Sequence, residues 1–196
     1  MQNIWPIALF TLVATLTPGG ATTLATASGV QFGLRRSLPL LLGIATGLAS
    51  MAAGAAFGLA NILQVSLLLP MALKILGTGY LLWLAWKIAR APAPGTGAAA
   101  QRPTGYFAGF GMLCYNPKAW AMTGGAAAAY APLAQDPLQL ALLMGLCFGA
   151  AACLSLVLWC IAGRELARRV RTPARWRWVN TGLGLLLVVS IVPMWS

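Results

Sequence analysis

The sequence predicts an all-α polytopic membrane protein: six transmembrane helices in two inverted three-helix halves, with helices 1 and 4 broken near the midplane. Three observations lead there. The chain of 196 residues is 60% hydrophobic and only 8% charged, whereas about a quarter of the residues of an average soluble domain are charged. So few polar groups cannot cover a water-facing surface. Six apolar segments come close to the roughly 20 residues that a helix needs to cross a hydrocarbon core. Two of these segments carry a proline-centred interruption at about the same depth.

The segments cover residues 4–28, 38–63, 70–88, 105–129, 138–163 and 178–195. The first opens Met1-Gln2-Asn3-Ile4-Trp5, without the positive stretch that begins a signal peptide, so a retained membrane helix is expected. Pro39 and Pro70 fall near segment starts, where a missing N–H costs little. Pro132 and Pro137 punctuate the fourth connection. The Pro/Gly/Ala-rich stretch 91–104 reads as a flexible cytoplasmic linker between a first half, 1–90, and a second half, 105–196.

Orientation follows from the basic residues. Arg35 and Arg36 lie in the first connection, Lys87, Arg90 and Arg102 around the third, and Arg164, Arg168, Arg169, Arg171, Arg175 and Arg177 around the fifth. Of 13 basic residues only Lys74 and Lys118 lie elsewhere. The positive-inside rule then puts the basic loops in the cytoplasm and both termini outside.

The same distribution accounts for the net charge of +11 without nucleic acid, since no basic stripe with stacking aromatics is left to explain. Cys114, Cys147, Cys153 and Cys160 all fall in apolar segments and form no CxxC pair, as expected of small hydrophobes rather than of a metal knuckle or a disulfide framework. The chain has no histidine, and its two acids, Asp136 and Glu165, lie in connections. The usual general base, metal ligand and nucleophile activator are therefore missing. No catalytic residue, metal or cofactor is expected.

The interruptions are Thr17-Pro18-Gly19-Gly20 in the first segment and Asn116-Pro117-Lys118 in the fourth. Each begins about a dozen residues in, near mid-depth at a rise of about 1.5 Å per residue. The second break lies three segments on from the first, so the second half enters the membrane in the opposite sense. Broken helices at corresponding places in two inverted halves point to a transporter's binding site. After each break a half-helix restarts with free backbone N–H groups and the positive end of its dipole. Gly19, Gly20 and Ala21 supply such donors in one half, and Lys118, Ala119 and Trp120 in the other. With the Lys118 ammonium added, the centre suits an anion, above all a carboxylate.

A charge at mid-span costs roughly 2.5–3.5 kcal/mol on insertion scales, which argues for a role. A plainer reading stays open: proline kinks can serve packing alone, and a lysine can snorkel to the interface. Thr22, Thr23 and Thr123 follow the breaks and either join the site or bond their own backbone. Gly29/Gly33, Gly43/Gly47, Gly54/Gly58, Gly105/Gly109 and Gly145/Gly149 share GxxxG spacing and read as close-packing faces. Such faces serve within one chain or between two, so a homodimer stays open. Trp5, Trp86, Trp176, Trp178 and Trp195 near segment ends fit an interfacial belt, while Trp83 and Trp159 lie deeper and either pack or line a cavity.

Several of these residues together resemble a known family. Thr17-Pro18-Gly19 with Gly29, Gly33 and Arg35-Arg36, then Leu73-Lys74-Ile75-Leu76-Gly77 with Tyr80-Leu81 and Trp86-Lys87, then Gly109-Phe110 and Asn116-Pro117-Lys118-Ala119-Trp120, look like the LysE/RhtB amino-acid exporters. The resemblance spans the whole chain. It implies a multi-pass protein of the bacterial inner membrane that exports amino acids or related metabolites, driven by an ion gradient of protons or sodium. Its motif residues fall on Thr17, Pro18, Gly19, Asn116, Pro117 and Lys118. The family usually continues its first motif with Pro-Asn, where this chain has Gly20-Ala21, so a polar amide is missing there.

The expected function is secondary export of a small carboxylate-bearing metabolite, a neutral amino acid first. No membrane-embedded acid is present to pair with a cationic side chain. The substrate-binding set is Thr17, Pro18, Gly19, Gly20, Asn116, Pro117, Lys118 and Trp120. The alternatives are transport of another small ion or metabolite and a structural membrane subunit that transports nothing.

Overall fold

A computed structural model describes residues 4–59, 68–90, 103–134, 136–170, 172–189 and 191–192. Met1–Asn3, residues 60–67, nearly all of the expected linker, the Lys74 side chain and Trp195 lie outside the described residues. Helices dominate, and no strand occurs among the described residues.

Helix α1, Trp5–Leu16, begins with Pro6 in its first turn, where no intrahelical N–H is needed. It ends because Pro18 has no N–H to offer the carbonyl four residues back. Helix α2, Gly20–Gly54, continues into a π-helical turn at Ala55–Leu59. Two non-helical residues interrupt that run, Gly33 with φ 70° and Gly58 with φ 94°.

Gly33 is more than a kink. The Ser28 and Ser37 hydroxyls hydrogen-bond at 2.7 Å, although nine residues of straight helix would separate them by about 13.5 Å. The chain therefore folds back at Gly33, and only glycine adopts that backbone readily. The Ser37 hydroxyl donates to the Gly33 carbonyl and closes the turn. The connection expected over 29–37 thus shrinks to one residue, and Arg35 and Arg36 stand exposed on the first turn of the returning helix.

Helix α3, Leu68–Ala89, follows. Next come α4, Tyr106–Gly111, a 3-10 turn at Met112–Tyr115, and α5, Pro117–Tyr130. A second 3-10 turn, Ala131–Leu133, leads to α6, Pro137–Arg169, whose first turn is capped by Asp136 accepting from the Gln139 N–H at 2.8 Å. Helix α7, Pro173–Val189, closes the order. Within Gly20–Gly58 and within Pro137–Arg169 an 18-residue stretch is apolar enough to cross a membrane, with mean hydropathy 1.8 and 2.3.

Small residues set the packing. Gly29 rests on the Cys160 backbone and Gly163 on the Thr26 carbonyl, while Gly149 and Gly145 meet Ala49. Helix α6 therefore runs beside both arms of α2. Gly43 and Gly47 receive the Tyr106 and Phe110 carbonyls, and Gly109 receives that of Leu40, which seats α4 on the returning arm. A Cβ at Gly29, Gly43 or Gly163 would strike backbone that cannot yield. The GxxxG expectation is thus divided: Gly29, Gly43, Gly47, Gly109, Gly145 and Gly149 pack, whereas Gly33 and Gly105 have nothing near their missing side chains, and Gly33 acts through its φ. Helices α3 and α7 form a lateral pair around Leu81, Ala85 and Ile88, with Ile191 beyond the end of α7.

The exterior is apolar. Leu9 and Val13 on α1, and Leu142, Leu146, Leu154 and Leu158 on α6, are all about half exposed or more. Water does not tolerate so continuous an apolar surface, and a bilayer does. Trp5, Trp86 and Trp178 are exposed as belt residues should be, but Trp176 is buried at 5% and packs instead.

Candidate functional site

The first break is best read by asking where its backbone carbonyls find donors. In an unbroken helix each carbonyl accepts from the N–H four residues on. Thr17 still reaches Val13, through its N–H at 3.0 Å and its hydroxyl at 2.7 Å. Beyond that the ladder fails, and distant side chains replace it. The Ser155 hydroxyl donates to the Thr15 carbonyl at 2.7 Å and the Trp159 indole N–H to that of Leu16 at 3.2 Å. Lys118 Nζ donates to the Thr17 carbonyl at 2.7 Å and lies 3.4 Å from that of Pro18. The C-terminal end of α1, the negative end of its dipole, is thus capped from α5 and α6.

On the other side of the break α2 begins. The Gly19 N–H donates to the Thr22 hydroxyl at 2.8 Å, and that hydroxyl donates back to the Gly19 carbonyl at 3.0 Å. The N–H groups of Gly20, Ala21 and Thr22 are the first of the helix and have no intrahelical acceptor. Gly19 is extended, with φ −178°, so space and not conformation recommends glycine here. A Cβ would stand 3.3 Å from Lys118 Cδ and 3.5 Å from its Nζ. The lysine stem lies across the bare backbone.

The second break is shorter and closes itself. Only Asn116 leaves the helical path, after the 3-10 turn. Its N–H reaches Leu113 at 3.1 Å, and its carbonyl accepts from the Ala119 and Trp120 N–H groups at 3.0 and 3.3 Å. The Cys114 carbonyl accepts the Trp120 indole N–H at 3.0 Å. Of the donors expected from Lys118, Ala119 and Trp120, only the Lys118 N–H is left over.

The two breaks meet around a narrow cleft of about 40 Å³. Polar atoms are few and converge. Gly20, Ala21 and Thr22 present the start of α2, while Lys118, Asn116 and Ser155 face it from α5 and α6; Ile44, Leu48, Leu113 and Met122 supply apolar walls. Asn116 is 5% exposed, and its side-chain oxygen has no hydrogen-bond partner. Such a group costs about 1–3 kcal/mol when left unpaired, so its retention needs a reason. Charge is unbalanced too. Glu165 pairs with Arg168 at 2.7 Å and Asp136 caps α6, so neither acid of the chain serves Lys118.

Of the residues singled out from sequence, Thr17, Gly19, Gly20, Asn116 and Lys118 line the cleft. Pro18 contributes its carbonyl to Lys118. Pro117 is buried in the first turn of α5, and Trp120 bonds across its own break; neither lines the cleft. Thr123 bonds its own helix at Ala119. Sequence reasoning missed Ser155, and it left Trp159 between packing and lining. A lone serine inside an apolar helix was the available signal, but its partner at Thr15 is 140 residues away.

A family model, LysE type translocator, matches residues 12–191. A cysteine/O-acetylserine efflux protein of Klebsiella pneumoniae subsp. pneumoniae is 31% identical over 186 residues, 93% of each chain. Proteins of the same name from Salmonella choleraesuis and Escherichia coli K12 are 38% and 35% identical over 112 residues, 56% of this chain and 55% of theirs. No solved structure matches. LysE type translocators are integral membrane proteins that move solutes and are not enzymes. With the family model covering nearly the whole length and one relative alike from end to end, the chain belongs to the LysE type translocator family.

Proposed function

We propose that the protein exports a small neutral amino acid from the cytoplasm across the bacterial inner membrane, and that Lys118 with the start of α2 holds the substrate's carboxylate. One observation carries this reading: a lysine ammonium lies where two broken helices meet, and neither acid of the chain balances it. A carboxylate supplies the missing charge, and the N–H groups of Gly20, Ala21 and Thr22 offer it further donors at a helix N-terminus. The unpaired Asn116 oxygen adds an acceptor for a substrate N–H or O–H group.

The absence of an acid near the cleft to meet a cationic side chain disfavours a basic amino acid. Small size fits the cleft and Ala21, which lines it where the resembled family carries an amide. The relatives' name adds support, because cysteine and O-acetylserine are both small amino acids without a charged side chain.

The same reading sets the protein in the bilayer. Counted from the fold-back at Gly33, the helices make six crossings in two inverted halves, with α1 and the first arm of α2 answering α4 and α5. The basic loops face the cytoplasm and both termini face outward, with a proton or sodium gradient driving export. The test is amino-acid efflux from cells loaded with dipeptides. Wild type should lower the internal pool faster than Lys118→Ala made in equal amount. Equal rates would remove Lys118 from the mechanism.

A further inference from the structure

The position of the Lys118 ammonium describes a second half of the site. It is seated on the carbonyls of Thr17 and Pro18, at the negative end of α1. We infer that these two carbonyls are the seat of the substrate's α-ammonium, and that Lys118 fills it between transport events; this rests on the export reading above. A zwitterion brings both charges to the cleft. Its carboxylate draws Lys118 away from the Thr17 carbonyl toward the start of α2, and its ammonium takes the vacated carbonyls. Each cation stays paired throughout, which matters where water is scarce, since an unpaired charge there is expensive.

Two structural details support the exchange. Among the carbonyls at the end of α1, those of Thr15 and Leu16 are held by Ser155 and Trp159, while Thr17 and Pro18 depend on a flexible lysine. Gly19 leaves the lysine stem free to swing across bare backbone, where any side chain would obstruct it. The consequence is a selection rule: a ligand with a carboxylate and no ammonium strands the two carbonyls, and one with an ammonium and no carboxylate cannot displace Lys118.

Binding to the purified protein tests this with a set that keeps one side chain: cysteine, N-acetylcysteine lacking the ammonium, and cysteamine lacking the carboxylate. Wild type should bind cysteine at least about tenfold more tightly than either analogue, the size of one charged hydrogen bond. In Lys118→Gln the seat is open, so cysteamine should bind more tightly than it does to wild type while cysteine binds more weakly. A gain of affinity cannot come from misfolding. Equal binding of cysteine and N-acetylcysteine by wild type would overturn the inference and leave amino-acid export standing. No gain for cysteamine in a Lys118→Gln protein that keeps the wild-type melting temperature would overturn it also. If no amino acid binds at all, the export reading falls and takes this inference with it.

Discussion

The two breaks look alike in sequence and are built differently. The break at Asn116 spans one residue and is closed by its own neighbours, through the Asn116 carbonyl and the Trp120 indole. The break at Thr17-Pro18-Gly19 spans three, and the carbonyls of Thr15, Leu16 and Thr17 are served by Ser155, Trp159 and Lys118. One is a self-contained mount for a lysine. The other is an open helix end that exists only while other helices supply its donors. The difference assigns the roles: the second break presents the charge, and the first is the receptor that can change partners.

This asymmetry can be broken at chosen points. The largest effect is expected from the double change Ser155→Ala with Trp159→Phe, which strips two caps from the first break. Each leaves a carbonyl without its donor at about 1–3 kcal/mol, so the detergent-solubilised protein should melt well below wild type. Asn116→Leu separates folding from function. It removes an amide oxygen that bonds nothing in the protein, so the melting temperature should hold or rise while efflux falls about tenfold. A drop in stability with normal efflux would make Asn116 a packing residue. Gly19→Ala places a methyl 3.3 Å from the lysine stem; the stem must shift, and efflux should fall a few-fold with stability nearly unchanged. The smallest effect is expected at Trp120→Phe. It removes one partly exposed hydrogen bond within the self-closed break, at a cost of about 1 kcal/mol in thermal stability.

How much of this was legible beforehand follows the same division. Pro18 and Pro117 act on their own helices, so the positions of both breaks could be read from sequence. The fold-back at Gly33 was half visible: Arg35 and Arg36 marked a loop, but that one glycine makes the turn depended on a Ser28–Ser37 bond that no local pattern shows. The glycines at 29, 43, 109 and 163 were readable as small faces, though not which backbone each would meet. In the site, the lysine and its lack of an acidic partner followed from composition. Its actual partner did not. The expectation was of N–H donors gathered around an anion, and the structure seats the ammonium on carbonyls contributed from 101 residues away. Ser155 stayed hidden for the same reason, since a hydroxyl in a helix usually bonds its own backbone, and this one caps another.

The central claim is that the Lys118 charge holds the substrate between the two broken helices. The most direct measurement is counterflow of labelled cysteine into proteoliposomes holding only the purified chain, with wild type, Lys118→Arg and Lys118→Gln reconstituted at equal density. The account predicts clear exchange by wild type, partial exchange by Lys118→Arg, which keeps the charge in a different shape, and a loss of about tenfold or more in Lys118→Gln. Exchange by Lys118→Gln at the wild-type rate would contradict it.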